Sequence, residues 1–304
     1  MKIKTVIALC LFTVFCLLVL TACGKDETPQ MVNELQFSVD NIESLIISYD
    51  EENISFYASN DNTLIIKEYM TKNKRDYYAK VNDDSNSIKI SEGNKPLAKS
   101  GFTRYIEVYL PTNYDQSLTV TSTKGGIDLS NMDLNLSLLR IDSTSGTVTL
   151  DCVVASEVHL SSTSGTLAVG SIQADLIRLD TTSGSVTCNE LNGAVNYTST
   201  SGDFDVKSAI GSGSYRANNS GKLGVVYSEV TGDLSFFNKN DAVTLTLPDD
   251  LQFSFEATTK NGSVTTNFQQ SLTKDGRTTK GSVGDSATVT VKVETSNGNI
   301  QVTQ

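Results

Sequence analysis

His159 is the one imidazole in a chain of 304 residues, so any Ser-His-Asp or Cys-His relay, and any His-rich metal site, would have to pass through it. The spacing around it is regular. Arg140 and Arg178 stand 19 residues to either side, and Asp142, Ser161 and Asp180 each follow two residues later. In a chain that repeats at that interval, the arrangement lays a basic row beside an acidic one. Arginine's planar fork suits phosphate or carboxylate, which makes Arg140, His159, Arg178, Asp142 and Asp180 a candidate row for an anionic or glycan ligand. The plainer reading is a solvated face of cross-coil ion pairs, each contributing little. A second cluster, Lys67, Lys72, Lys74, Arg75 and Lys80, is interleaved with Tyr69, Tyr77 and Tyr78 and is a candidate contact for anionic headgroups or teichoic-type polymers. Glu68 and Asp76 should dilute its charge. A polysaccharide-cleaving enzyme would need clustered carboxylates, and Asp128 falls on a coil distant from Asp203 and Asp205. No catalytic residue, metal or cofactor is therefore expected.

The amino terminus carries different chemistry. Lys2 and Lys4 precede an apolar run of 16 residues, 5 to 20, which ends in Leu20-Thr21-Ala22-Cys23. Sixteen is short of the roughly 20 that a spanning helix needs, and an ordinary secretory signal gives no reason for a Cys at the cut. The segment resembles the lipobox of bacterial lipoproteins. That resemblance implies a signal peptide over 1–22, a diacylglyceryl anchor on Cys23, and a mature chain lipid-anchored on the extracytoplasmic face of the cell membrane. Residues 23–35 then form the lipidated Cys and a polar tether, Gly24 to Glu34, with a reach of roughly 35–40 Å. Loss of two lysines takes the formal charge from −11 to −13, which leaves no basic surplus for nucleic acid. No LPxTG-like signal follows near Gln304, so lipid rather than wall is the expected anchor.

The elements that position these residues emerge from repeats. The phrases STKGGIDL, STSGTVTL, STSGTLAV, TTSGSVTC, STSGDFDV, NNSGKLGV, NKNDAVTL, TKNGSVTT and TSNGNIQV share a register marker at Gly125, Gly146, Gly165, Gly184, Gly202, Gly221, Asp241, Gly262 and Gly298. Successive steps run from 18 to 21 residues, with a final jump of 36. Two residues after every marker stands an apolar side chain, from Ile127 to Ile300. Pairs such as Leu139/Ile141 and Val158/Leu160 repeat the alternation at seven and five before. A period of two on both sides of a corner means two short strands per repeat. Met132, Val153, Ile172, Leu191 and Ala209 add a third inward position. The corner glycines are read as turn residues that tolerate φ > 0. In the coil before Gly221, Tyr215 and Ala217 sit one step out of register, which predicts a slip or bulge.

The fold class is therefore all-β: a β-solenoid, single-stranded and β-helix-like, of about nine short coils with a ~19-residue repeat and a length of roughly 45 Å. A β-sandwich or a set of hairpins is the alternative that the fixed register disfavours. Cys152 and Cys188 fall two coils apart, roughly 9–10 Å, beyond the ~7 Å reach of a disulfide. Residues 36–117 are β-rich but irregular and should cap the solenoid, which occupies 118–304. LTKDGRTTKGSVGD reads as a hairpin before the last strands, VTVKVETSNGNIQV, which should close the far end.

IEVYLP at 106–111, LTVTSTKGGIDL, the tandem TSG phrases and the terminal VETSNGNIQV together resemble the bacterial "putative adhesin" β-repeat family of unknown function, over residues 36 to 304. The resemblance implies an extracytoplasmic β-solenoid on an anchored envelope protein, in some members linked to envelope stress, and supplies no catalytic residue. The expected function is a non-catalytic binding, adhesion or scaffolding module of the cell envelope, partnered by an envelope glycan or a membrane protein. The alternatives are an accessory protein of an envelope-stress system that binds a membrane protein, and, behind it, a polysaccharide-acting enzyme.

Overall fold

The computed structural model describes residues 28–97, 100–268 and 272–304; the signal segment 1–22, Cys23 and the tether up to residue 27 lie outside the described residues. The amino-terminal third contains β1 (Gln30–Ser38), β2 (Ser44–Tyr49), β3 (Asn53–Ser59), β4 (Thr63–Met70), β5 (Lys80–Asp84), β6 (Ser87–Ser91) and β7 (Arg104–Pro111). The repeats supply β8 (Ser117–Ser122), β9 (Ile127–Leu129), β10 (Leu134–Ser143), β11 (Val148–Ser162), β12 (Leu167–Thr181), β13 (Val186–Ser199), β14 (Phe204–Ala217), β15 (Leu223–Asn238) and β16 (Val243–Thr246). β17 (Phe253–Thr259), β18 (Val264–Thr266), β19 (Leu272–Asp275), β20 (Thr278–Val283), β21 (Val289–Thr295) and β22 (Ile300–Thr303) complete the chain.

The repeats stack as parallel coils with their markers in register: Leu139 pairs with Val158, Val158 with Ile177, and Ile177 with Val195. The chain is a β-solenoid. Each coil turns its apolar alternation inward in three short runs, as in Val148/Leu150, Val153/Ala155 and Val158/Leu160, all buried. Corner backbones are also bonded from coil to coil, with the Ser145, Ser164 and Ser183 amides donating to the Thr123, Thr144 and Thr163 carbonyls at 2.8 to 2.9 Å. A proline at any of these corner positions would remove a donor that is in use.

The corner glycines serve a different purpose from the one their turn position suggests. Of the eight, only Gly221 has a positive φ, 106°. What the others share is crowding: a Cβ on Gly146, Gly165, Gly184 or Gly202 would fall within 3.0 Å of the carbonyl oxygen of the glycine one coil earlier. Glycine is required because successive backbones touch at the corner. At several markers the polar partner also lies elsewhere, three residues earlier and inside the coil. Ser122, Ser143 and Ser199 donate to the carbonyls of Gly125, Gly146 and Gly202 at 2.9, 3.3 and 3.4 Å, and Thr295 donates to that of Gly298 at 2.7 Å. Gly221 differs because its corner holds one extra residue. The β13–β14 ladder runs unbroken to Ser199↔Ala217, so the predicted slip sits at 218–221 and not within the strand. Gly213 takes the inward place of Val195 there and leaves room for the Tyr215 ring.

Both ends depart from expectation. β2 and β3 lie in parallel register on β8 and β9, and β6 and β7 lie on β2 and β3, so the parallel stack begins two coils before residue 117. Eleven corner layers result, about 48 Å of stack at 4.8 Å spacing. The cap proper is antiparallel: β4 on β7, β5 on β6, and β1 outermost on β4. At the other end, the final strands do not close the stack. β21 and β22 are wedged between β15/β16 and β17/β18, and the β19–β20 hairpin, antiparallel to β17, covers the end instead.

Gly165→Ala should destabilise the protein by about 1–3 kcal/mol in urea unfolding, because a backbone oxygen cannot yield. Gly126→Ala, where the nearest atoms would stand at 3.4 and 3.5 Å, should change stability by less than about 0.5 kcal/mol. Burial also holds the Tyr49 and Tyr215 phenols well above their ordinary 10.0. The unfolded chain therefore loses those protons first, so their stabilisation is complete below pH 10 and falls as the pH rises above it. Alkaline unfolding monitored by tyrosinate absorbance should be a single cooperative step, and Tyr215→Phe should move its midpoint upward.

Candidate functional site

The row around His159 forms as the spacing predicts. Arg140, His159 and Arg178 occupy one register line on three successive coils, with His159 outward between fully buried Val158 and Leu160. Its charges are already matched. Arg140 grips Asp142 with Nε to Oδ2 at 2.7 Å and Nη2 to Oδ1 at 3.1 Å, while its Nη1 meets His159 Nδ1 at 2.9 Å. A guanidinium only donates, so Nδ1 accepts and the ring proton sits on Nε2, which faces Asp180 Oδ2 at 3.1 Å. Arg178 Nε stands 3.6 Å from Glu157 Oε1. This is a cross-coil ion-pair lattice on a solvated face, with both imidazole nitrogens engaged by Arg140 and Asp180.

The second cluster divides. Lys72, Lys74, Arg75 and Lys80 are exposed around a single 3₁₀ turn, Arg75–Tyr77, at the amino-terminal end of the stack. Lys67 lies apart, on the outer sheet face, with Nζ 4.5 Å from the centre of the Tyr109 ring. Asp76 does temper the cluster, through an exposed pair with Lys74 at 3.1 Å. Glu68 does not. It is fully buried, and accepts hydrogen bonds from Asn33 Nδ2 and the Ala79 amide at 2.8 Å and from the Tyr49 hydroxyl at 3.3 Å.

A buried ionic knot went unrecognised. Arg104, with a side chain 0% exposed, donates from Nε and Nη2 to Glu52 Oε1 at 3.1 and 2.8 Å, from Nη2 to Glu92 Oε2 at 3.2 Å, and from Nη1 to the Tyr77 carbonyl at 2.7 Å. Lys95 Nζ closes the knot at 3.3 Å from Glu52 and 3.1 Å from Glu92. Burial pushes both carboxyls up. For Glu52, the hydrogen bond with Glu92 and the Arg104 charge outweigh that and hold it below its ordinary value, whereas Glu92, sharing the hydrogen bond, is held above. Glu52 occupies the corner position beneath Gly125, so the knot replaces the glycine column where the coils become irregular. Parity was the available signal: Glu52 precedes Ile54 and Phe56 by even steps, Arg104 precedes Ile106 and Val108, and Glu68 follows Leu64 and Ile66. A charge on the inward parity is a buried charge.

One concavity lies across the middle coils. Between β12 and β13 two residues, Ala174 and Asp175, oppose the single Gly193, a bulge that gives Gly193 a φ of 143° and Gly211, on the next coil, one of 124°. The bend leaves a groove of about 400 Å³ with a floor of Ala155, Ala174, Gly193 and Gly211, and with Gln173, Asp175, Asn192, Ser212 and Thr231 along its sides. Small residues and bare backbone let a chain-like ligand approach closely, with polar groups at hand for it. Sequence reasoning missed the groove because an 18-residue step among 19s looks like noise. Elsewhere, Cys152 is half-buried and Cys188 buried, both free thiols, and burial raises Cys188 to about 12. Among the described residues, no group of three His, Cys, Asp or Glu is placed to hold a metal, and no helix is long and apolar enough to cross a membrane.

Arg104→Met should cost about 3–5 kcal/mol in urea unfolding, since it leaves Glu52 buried without its guanidinium partner. Arg140→Ser should cost less than about 1 kcal/mol, because its pair with Asp142 is exposed.

The family model described as Toastrack DUF4097 matches residues 42–220 and again 211–303. No curated protein is significantly similar to the chain. Among solved structures it is similar to a "putative cell adhesion protein" of Clostridium sporogenes, at 11% identity, over 91% of this chain and 99% of that one, with a TM-score of 0.30. It is also similar to a "putative adhesin" of Parabacteroides distasonis, at 14% identity, over 89% and 96%, with a TM-score of 0.41. A third, from Bacteroides fragilis and described in the same words, has 10% identity over 89% and 96%, with a TM-score of 0.37.

Proposed function

The chain belongs to the Toastrack DUF4097 family, and from that premise we propose that it is a surface lipoprotein, anchored through Cys23, whose solenoid is a non-catalytic binding module of the cell envelope. The observation that supports a binding role most directly is the groove at Gly193 and Gly211. It is elongated across coils β11 to β15, offers amide, hydroxyl and carboxylate groups from Gln173, Asn192, Ser212 and Asp175, and has no cationic residue among its lining. That chemistry suits an extended, hydroxyl-rich and uncharged or basic chain, such as an envelope glycan, better than a polyphosphate. The Arg140–His159–Arg178 row is the weaker candidate, since each of its charges has a partner within the protein. A non-catalytic role is supported by the one imidazole, which is engaged on both nitrogens, and by Asp128 and Asp205, which share a register line four coils apart. The lipobox resemblance of Leu20 to Cys23 supports the anchor and the extracytoplasmic location.

Asn192→Trp, which fills the groove from its side, should weaken retention on purified cell-wall glycan by about tenfold, or about 1.4 kcal/mol. The Arg140→Ser, His159→Ser, Arg178→Ser triple variant should bind within about twofold of the parent, as expected for surface pairs worth under about 1 kcal/mol each. Retention unchanged by Asn192→Trp but lost in the triple variant would transfer the site to the charged row. Crosslinking in cells that recovers a membrane protein in place of glycan would favour the stress-accessory reading.

A further inference from the structure

The cap carries a surface that the repeats lack. β1 is the outermost strand, and its first residue, Gln30, pairs with Met70, one residue before the loop 71–79. The tether thus leaves the fold beside Lys72, Lys74 and Arg75. Because β1 already begins at Gln30, the tether shrinks from the expected 24–34 to residues 24–29, six residues that span at most roughly 20 Å. The end of the stack is therefore held close to whatever Cys23 is attached to.

The charge of that end runs against the rest of the molecule. Residues 71–84 hold Lys72, Lys74, Arg75 and Lys80 against Asp76, Asp83 and Asp84, an excess of one positive charge in a chain of net −11, with the basic residues gathered in the loop and at the start of β5. All four basic side chains are exposed. The same end collects apolar side chains in water: Met31 at 51% exposed, Val81 at 39% and Leu97 at 108%, three of the five large hydrophobic residues that are exposed among the described residues. Tyr77 and Tyr78, half-buried beside the lysines, add rings of the kind that sit at headgroup level.

We propose that this end is a second, non-covalent membrane contact, in which Lys72, Lys74, Arg75 and Lys80 bind anionic phospholipid headgroups while Met31, Val81 and Leu97 enter the interface. The proposal rests on the Cys23 anchor for its geometry and on the described surface for its chemistry. Screening confines the attraction to about 8 Å at physiological salt, so only the tethered end feels it, and the acidic remainder of the stack is repelled from the same surface. The two effects act together to stand the rod upright and present the coil faces outward. Lys67 takes no part, since it lies over Tyr109 on the flank.

The test uses the whole mature chain with Cys23→Ala, sedimented with vesicles of phosphatidylcholine alone and with one-third phosphatidylglycerol. Binding should appear only with phosphatidylglycerol and should fall about tenfold in partition coefficient for the Lys72→Gln, Lys74→Gln, Arg75→Gln variant. Lys222→Gln, on a distant coil, should leave it unchanged. Equal sedimentation with both vesicles, or a triple variant that binds like the parent, would overturn the proposal. Free inorganic phosphate that competes off the vesicles at low millimolar concentration would also overturn it, by showing a simple anion site. Detergent-phase partitioning of the lipidated full chain reports separately on Cys23, so loss of the anchor reading and loss of the headgroup contact are told apart.

Discussion

The whole stack depends on backbone contact at one corner. Strands on the flat faces are kept apart by their hydrogen bonds and side chains, but at each glycine marker the chain turns against a neighbouring coil, and a carbonyl oxygen lies where a Cβ would stand. That contact fixes the phase of every coil relative to its neighbours. Once the corner is in place, period-two alternation sends the same parity inward on both sides, and the buried rows of Leu, Ile and Val follow. The hydroxyls of Ser122, Ser143 and Ser199 satisfy corner carbonyls from within, so no water is needed there.

This dependence explains what could be read from the chain and what could not. The coils from Gly125 to Asp241 were legible because each contacts only its neighbours, so sequence order equals spatial order and a repeat is its own template. The glycines were recognised by position but assigned the wrong cause: turn occupancy suggests φ > 0, whereas close approach between coils leaves no trace in a single repeat. The carboxyl-terminal coil was misplaced for a related reason. VTVKVETSNGNIQV has perfect register, and register alone says that a segment is a coil without saying which two coils it lies between. Its insertion between β16 and β18 is a long-range choice, made after β17 and β18 have left a place for it. The amino-terminal coils β2/β3 and β6/β7 were obscured because Glu52 and Arg104 stand where glycine would, and an ionic knot has no repeat signature.

Both ends solve the same problem, which is that a solenoid exposes an unpaired edge and an open core at each terminus. Each is covered through strands that run against the parallel grain, β4 and β5 at one end and β20 at the other, with β1 and β19 then laid antiparallel on β4 and β20. The antiparallel strands break the coil-on-coil register that each repeat presents to the next. The polar β5, with every residue exposed, and the charged β19 discourage further growth. The stack is thereby limited in length by its own caps.

The division of labour along the rod follows from those constraints. The core rows and the corner column tolerate little change, so variation that bears on recognition must appear on outward positions or where a coil gains or loses a residue. Two departures from the regular step lie in the middle of the stack: the extra residue at 218–221, at the corner where Gly221 has its positive φ, and the missing one opposite Ala174 and Asp175, which opens the groove. The second lowers the wall of the sheet without disturbing the buried Ile172 and Leu191 beside it. A groove built by deleting one residue from a repeat costs the fold a single bulge, and it places polar side chains from neighbouring coils at the ~4.8 Å interval of the stack. A periodic ligand can use that interval more fully than a compact one, which is the physical reason to look for an extended chain in this groove.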